Sequence, residues 1–417
     1  MSVFFFRATR DNARPLYYNF QMITPAVTRI KLAGFRNYAT LDLKLEGVSV
    51  ALAGGNGAGK TNLLEAVSLL APGRGMRGAQ MQEMDRNCHP ERSEGSPAAG
   101  DPSPSAQDDN RPWSVFAEIR TPEDTITIGT GRDAGAESEA SANRRIVKIN
   151  GTVTRGQAAL SEHFAVVSLT PAMDQTFAEG ATSRRTFLDR LSASFYPDHV
   201  RHHAIYTHAK SERLWLLSTS RPDPAWLSVL ERRLAEHGLA IAAARLETVA
   251  LLQAGSEARD SLFPQAILAA AGAVERNLAV MSALEAEELL ATEFAATRAR
   301  DAASGQTSAG IHRSDFLVTH GGKRLPAEQC STGEQKALLL SIILAAARAR
   351  KHWRGSPPIL LFDEVAAHLD VARRTALYAE LDALGAQCWM TATGEDFFAD
   401  FPGKFQLFRV DNGRVIE

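Results

Sequence analysis

The chain is poor in cysteine, in net charge and in long apolar runs, and each shortage excludes something. Its three cysteines, Cys88, Cys330 and Cys388, are odd in number, far apart and without metal-ligand spacing. That argues against a disulfide framework or a zinc site and for a reducing compartment, so a cytoplasmic location is expected. The 46 Lys and Arg residues nearly cancel the 48 Asp and Glu, leaving a formal net charge of -2. A polycation that coats nucleic acid is thereby excluded, and any such site must be a local patch. No stretch approaches the ~18 to 20 uninterrupted apolar residues of a membrane helix, Ala337 to Ala347 being the longest candidate, so no membrane span is expected. The N-terminus has a brief Phe4 to Phe6 run but neither a proper apolar core nor a small-residue cleavage site. Residues 1–26 read as a non-structural extension, with Met22 a candidate start.

What remains is an ordinary globular composition, 45% hydrophobic and 23% charged, able to bury a sizeable core. At 417 residues the chain exceeds what one core usually organises, so a main domain plus a lobe is expected. From Val27 the pattern is of strands: VTRIKLAGF, the alternating LDLKL, and the buried run VSVALAG ending in glycines. The helix that follows Lys60 places Leu63, Leu64, Val67 and Leu70 on one apolar face, as packing on a sheet requires. Between about residues 86 and 112 the composition turns to Pro, Ser, Gly, Asp and Glu, with almost nothing to offset the entropy of ordering, which predicts a surface insert. WSVFAEI, DTITIGT and RRIVKIN then read as short strands, the last ending in the hairpin turn Asn150-Gly151. From about Ser183 to Arg300 the pattern is helical, with Leu227, Leu230, Leu234 and Ile241 at heptad-like spacing, which predicts a helical lobe or short arm. After Ser331 come a long apolar helix, the strand PILLF, a helix from Ala372, the strand QCWMTAT and a last hairpin.

The chemistry is concentrated in three places. Gly54-Gly55-Asn56-Gly57-Ala58-Gly59-Lys60-Thr61 matches GxxxxGK[ST] with a strand before it and a helix after it, a phosphate-binding loop. Its glycines let backbone N–H groups wrap the phosphates, Lys60 would meet the β and γ phosphates of ATP, and the Thr61 hydroxyl would face Mg2+. Ile359 to Phe362 followed by Asp363-Glu364 has the form of a buried parallel strand whose carboxyl end meets a ligand. Asp363 would hold Mg2+, and Glu364 would orient or deprotonate the attacking water. Ser331-Thr332-Gly333-Glu334-Gln335 before a long helix has the form of an ABC signature motif, in which the serine and the helix N-terminus bind the γ phosphate held by an opposite subunit. An ATP-dependent homodimer with two ATPs at its interface is implied. Ala366 to Asp370 is similar to a D-loop, and Thr393 stands where such ATPases keep a switch residue, although the usual histidine is absent.

With these words in order the chain resembles the RecF family of bacterial DNA replication and repair proteins. FRNY (Phe35 to Tyr38), GNGAGKTNLLEA (Gly55 to Ala66), HRSDF (His312 to Phe316), STGEQKALLLS (Ser331 to Ser341) and DEVAAHLD (Asp363 to Asp370) carry the resemblance. It implies an α/β fold: an ABC-type P-loop ATPase head related to SMC heads, with a short helical arm in place of long coiled coils. Residues 27–180 and 306–417 would form the head and 181–305 the arm. The resemblance further implies an ATP-driven dimer that clamps DNA at gaps or single-strand to double-strand junctions. It would work with RecO and RecR to load RecA, with hydrolysis resetting the clamp. Asn62 falls inside the loop motif, while Arg36 and Asn37 could reach the adenine or ribose edge or simply form a surface turn. Arg184, Arg185, Arg190, Arg201, Lys210 and Arg213 give the start of the arm a basic bias that could track DNA phosphates; a solvated helix face, or for the RR-FLD stretch a structural role, explains them nearly as well. His312, Arg313 and Asp315 could be a buried ion pair or a relay. The family's usual acidic pair after Pro171 reads Ala172-Met173-Asp174-Gln175, so Asp174 or Gln175 could approach the metal water. A transporter ATPase subunit and a non-hydrolysing repair scaffold are the competing readings.

Overall fold

In the computed structural model the described residues are 24–86, 112–121, 123–133, 145–154, 157–256, 261–365 and 369–416. Most of the expected N-terminal extension and insert, and Ala366 to His368 of the D-loop-like segment, lie outside them. The first part supplies β1 (Ala26–Phe35), β2 (Tyr38–Lys44), β3 (Ser49–Ala53), α1 (Lys60–Ser68), β4 (Ser114–Arg120), β5 (Thr125–Arg132), β6 (Arg145–Ile149), β7 (Thr152–Val153) and β8 (Val166–Leu169). Then come α2 (Ala181–Phe195), α3 (His199–Leu217), α4 (Pro224–Ser256), β9 (Ala266–Ala271), α5 (Ala273–Leu278), α6 (Ala283–Ala296) and α7 (Arg298–Ser304). The last part holds β10 (Asp315–His320), β11 (Leu325–Pro326), α8 (Thr332–Arg354), β12 (Ile359–Phe362), α9 (Val371–Leu384), β13 (Cys388–Ala392), β14 (Phe405–Asp411) and β15 (Arg414–Ile416).

The central sheet has the order β15-β14-β3-β13-β12-β8. Its pairs are parallel except for the edge hairpin β14–β15. Strands buried on both faces read as continuous apolar runs, and the period of two sorts them. Val50, Leu52, Ile359, Leu361 and Trp389 point to a core shared with α1, while Ala51, Ala53, Leu360, Phe362 and Met390 point to a core shared with α8. An antiparallel sheet of order β2-β1-β4-β5-β6-β7 covers the α1 side, with Val115, Ala117 and Ile119 facing inward. Asn150 and Gly151 take φ of 49° and 79°, the left-handed pair that a two-residue hairpin turn needs.

The helical lobe has its own core. Leu227, Leu230, Leu234 and Ile241 of α4 are buried there with Tyr206, Leu290 and Phe294. By length and composition α4 could cross a membrane. Here it packs inside the protein and carries Glu231, His237 and Arg245 in buried positions. Two expectations change. The stretch read as helical throughout contains β9, which pairs antiparallel with β10 across residues distant in sequence; the alanine-rich AILAAA has no decisive period of its own. Helix α2, expected to open the arm, instead buries Phe187, Leu188, Leu191 and Phe195 in the core shared with α8.

Candidate active site

The sheet order places β13 between β3 and β12, so the carboxyl ends that bear the phosphate loop and the acid pair open side by side. Gly55, Asn56 and Gly57 form the exposed crown of the loop, and Ala58, Gly59 and Lys60 its buried base. Gly54 is required by space, since a Cβ there would lie 2.2 Å from the Val410 carbonyl oxygen of β14. Gly59 is required by conformation as well, with φ of 117° and a would-be Cβ 2.6 Å from Asn37 Nδ2. Lys60 Nζ donates to the carbonyl oxygens of Gly54 at 2.7 Å and Gly55 at 2.8 Å. Burial pushes its pKa down while Glu364 and Asp363 push it up. The ammonium thus sits among acceptors of its own loop, directly above which an anion would be bound.

Beside it, Thr61 Oγ1 donates to Asp363 Oδ1 at 2.9 Å, although the two residues are separated by 302 positions. Thr391 of β13 donates to the same oxygen at 2.8 Å and accepts from the Glu364 backbone N–H at 2.9 Å. Glu364 is held at φ of 53°, a region that costs a non-glycine residue about 1–3 kcal/mol and persists only when its surroundings enforce it. The Thr61 hydroxyl and the Asp363 carboxylate form a hard-oxygen donor set next to the phosphate loop, which fits Mg2+. The open space around them, a cleft of about 480 Å³, is lined by Thr61, Arg77, Thr170, Met173, Asp363 and Glu364 among others.

Sequence reasoning missed what holds the loop from behind. Asn37 Nδ2 donates to Ala58 O at 3.1 Å, the Gly413 N–H donates to the same oxygen at 2.9 Å, and Tyr38 Oη donates to Gly59 O at 3.1 Å. Asn62 donates to Asn37 Oδ1 at 2.9 Å and accepts from Arg77 at 2.9 Å. Asn37 therefore supports the loop rather than facing a nucleotide edge. Arg36 is corrected too: it is buried, bidentate to Glu65 at 2.9 and 2.8 Å, and donates to Glu83 O at 2.8 Å. Those bonds hold its guanidinium against α1, so it is neither a free surface turn nor a cation without partners. Thr391, two residues before the position favoured for the switch, makes the bonds to the acid pair; Thr393 is exposed at the strand end.

Ser331, Thr332 and Gly333 are exposed at the N-terminus of α8. Glu334 accepts from the Ser331 N–H at 3.1 Å and pairs with Lys323, which with the bonds from Ser331 holds its carboxyl down to about 2. Gln335 is buried, its Nε2 donating to Cys330 O at 3.0 Å. None of these residues lines the chain's own cleft. Asp370 caps α9, accepting from the Arg373 N–H at 2.8 Å. Asp174 pairs with Lys336 of α8 at 3.3 Å and Gln175 is exposed, so neither lines the cleft.

The basic bias at the start of the arm divides on inspection. Arg213 is fully buried, bound to Glu231 at 3.0 Å and Asp301 at 2.8 Å, and cannot meet a phosphate. Arg184 is bidentate to Asp315 at 2.9 and 2.7 Å, a bond between α2 and β10. Arg201 pairs with Asp198 on the exposed face of α3. Arg185 and Lys210 are half-buried, and Lys210 has no ion-pair partner among the described residues.

Comparison with known proteins agrees in sequence and in shape. The family model described as the RecF/RecN/SMC N terminal domain matches residues 26–415. The DNA replication and repair protein RecF of Rhizobium meliloti (strain 1021) is 44% identical over 391 residues, 93% of this chain and 98% of that protein. RecF of Rhizobium rhizogenes (strain K84 / ATCC BAA-868) is 43% identical over the same shares. Among solved structures, one described as the recombination mediator protein RecF-ATP in the RecFOR pathway superposes with a TM-score of 0.77 at 22% identity, covering 96% of this chain and 99% of that one. An Smc head domain derived from Pyrococcus furiosus matches at a TM-score of 0.50 and 15% identity, covering 94% and 96%. Near-full-length identity to the curated relatives and the ABC-type head with its phosphate loop and acid pair place the chain in the RecF family of DNA replication and repair proteins.

Proposed function

We propose that this chain is an ATP-gated DNA clamp, in which ATP joins two copies around gapped or junction DNA and slow hydrolysis releases them. The observation that supports it is a division within one chain. Thr61, Asp363 and Glu364 line one cleft, with the Lys60 ammonium held on the adjoining phosphate loop within reach of both acids' charge, while Ser331 and Gly333 stand exposed elsewhere. A site whose γ-phosphate donors face outward on a helix N-terminus is suited to completion by a second copy. Thr61 and Asp363 would hold Mg2+, which when bound would draw off charge from the phosphates. Lys60 would exchange its loop carbonyls for the β and γ phosphates, and Glu364 would orient and accept a proton from the attacking water. ATP then acts by population shift, because it binds the closed pair more tightly than the single chain. RecO, RecR and RecA are the partners proposed from family membership, with DNA stimulation of the ATPase expected. The near-full-length relation to RecF leaves the transporter reading without support.

Sedimentation velocity on Glu364→Gln, with and without Mg-ATP and with a gapped or a fully paired duplex, tests this. An ATP-dependent dimer that moves with the gapped DNA is expected. A monomer under every condition would overturn the clamp and favour a scaffold.

A further inference from the structure

The HRSDF segment, His312 to Phe316, has an unusual division of labour. His312 is fixed at both ring nitrogens, by Tyr206 Oη at 2.8 Å and Thr307 O at 2.8 Å. Ser314 Oγ donates to Glu275 Oε2 at 2.7 Å, and Arg185 Nη1 donates to the Ser314 carbonyl at 2.7 Å. Asp315 is bidentate to Arg184, Arg245 Nη1 donates to Ile311 O at 2.9 Å, and Phe316 is fully buried. Inside this frame Arg313 is exposed, and among the described residues no hydrogen bond or ion pair engages its side chain. So much fixing of a short turn around one free cation is the pattern of a presented group rather than of a surface accident.

Two more cations meet it there. Tyr206 and Lys210 lie four apart on α3 and so share a face; since Tyr206 is bonded to His312, Lys210 is brought to the same turn. Its charge acts on His312 together with those of Arg313 and Arg185. Arg185 is seated against Ser314 by the bond already described, with Nη2 donating to Thr182 Oγ1 at 2.9 Å. Of the nearby acids, Asp315 is engaged by Arg184, Asp189 by Arg245 at 2.8 Å and His199 at 2.9 Å, and Glu275 accepts from Ser314 with Arg245 4.0 Å away. Asp315 and Asp189 act on Arg185 from a distance, but among the described residues no carboxylate forms an ion pair with Arg185, Lys210 or Arg313, and an anion would relieve the repulsion between Arg185 and Lys210. Burial first, and the like charge of Arg185 second, push the Lys210 pKa down.

We infer that Arg313, Lys210 and Arg185 form a phosphate-binding site at the junction of head and helical lobe, and that its ligand is the phosphodiester backbone of DNA. The inference rests on the DNA-binding reading above and narrows it, removing Arg184 and Arg213 and adding Arg313. Backbone phosphates bring dense charge without sequence, so binding to them is expected to be salt-dependent and indifferent to sequence.

The test measures affinity of the full chain for a labelled gapped duplex, in Mg-ATP, across a salt series, for the wild type, Arg313→Gln, Lys210→Gln, the double variant and Arg313→Lys. Each loss of charge should lower the slope of log affinity against log salt by about 0.9, which is roughly tenfold in affinity at 0.1 M salt, with Arg313→Lys close to wild type. Thermal unfolding and ATP affinity should not move. Wild-type DNA binding with slopes unchanged in the variants would overturn the site. Reduced ATP affinity with an unchanged DNA slope would overturn it as well, assigning the cations to the nucleotide. Absence of DNA binding by the wild type would instead remove the clamp reading itself, so the two failures are distinguishable.

Discussion

Replacing Thr391 by valine should separate hydrolysis from nucleotide binding. The substitution keeps the shape of a β-branched strand residue and removes one oxygen. That oxygen accepts the Glu364 N–H at 2.9 Å and donates to Asp363 at 2.8 Å. Asp363 keeps its Thr61 partner, so the larger loss falls on Glu364. An N–H left unpaired in a part-buried position costs about 1–3 kcal/mol, and the φ of 53° at the same residue stores a similar amount. Both are relieved if the backbone relaxes, and the carboxylate moves with it. A displacement near 1 Å of a catalytic group costs on the order of 100-fold in rate. Single-turnover ATP hydrolysis should therefore fall by about 30- to 100-fold in Thr391→Val. Equilibrium binding of a fluorescent ATP analogue, which depends on Lys60 and the loop, should stay within about threefold, and Thr391→Ser should retain most activity. Unchanged hydrolysis, or an affinity loss as large as the rate loss, would refute the assignment.

Other outcomes follow from single contacts. Gly54→Ala would place a methyl 2.2 Å from Val410 O, so β14 or the loop must shift; ATP binding should fall below detection by calorimetry in a chain that still folds by circular dichroism. Arg213→Met should destabilise the chain by about 3–5 kcal/mol in urea unfolding, because it strips a buried cation from Glu231 and Asp301, while leaving the salt slope of DNA binding alone. Burial holds His312 down to about 4 against an ordinary 6.5, so the unfolded chain takes up a proton that the folded chain refuses. Its contribution is present in full above about pH 6.5 and is lost as pH falls toward about 4; urea midpoints measured at pH 7.5, 5.5 and 4.5 should fall in that order, less steeply in His312→Gln.

Legibility followed the range of the interaction. The phosphate loop, the acid pair and the buried strands around them are local patterns, where a glycine, a lysine or an apolar run states its own requirement. The head was therefore readable through β3, α1, β12 and the two hairpins whose turns are Asn150-Gly151 and Asn412-Gly413. What could not be read was pairing at a distance. AILAAA becomes β9 only because β10 offers it an edge. Asn37 supports the loop only because β1 and β2 turn beneath it. The motif word FRNY flagged Arg36 without saying that Glu65 would hold it.

Charge is the plainest case of this difference. In the sequence Arg213 and Arg313 are equal cations, and the first was the better candidate for DNA because it stands in a basic helix. In the fold Arg213 has three bonding partners, Glu231, Asp301 and the Phe294 carbonyl, and Arg313 has none among the described residues. A buried, fully paired arginine stabilises a lobe and has no donor to offer a ligand. An exposed one in a backbone turn fixed by its neighbours keeps its five N–H donors for a ligand. The functional cation of a basic stretch is thus identified by what its neighbours leave unbonded, a property that belongs to the folded network of Tyr206, Thr307, Glu275 and Arg184 around it.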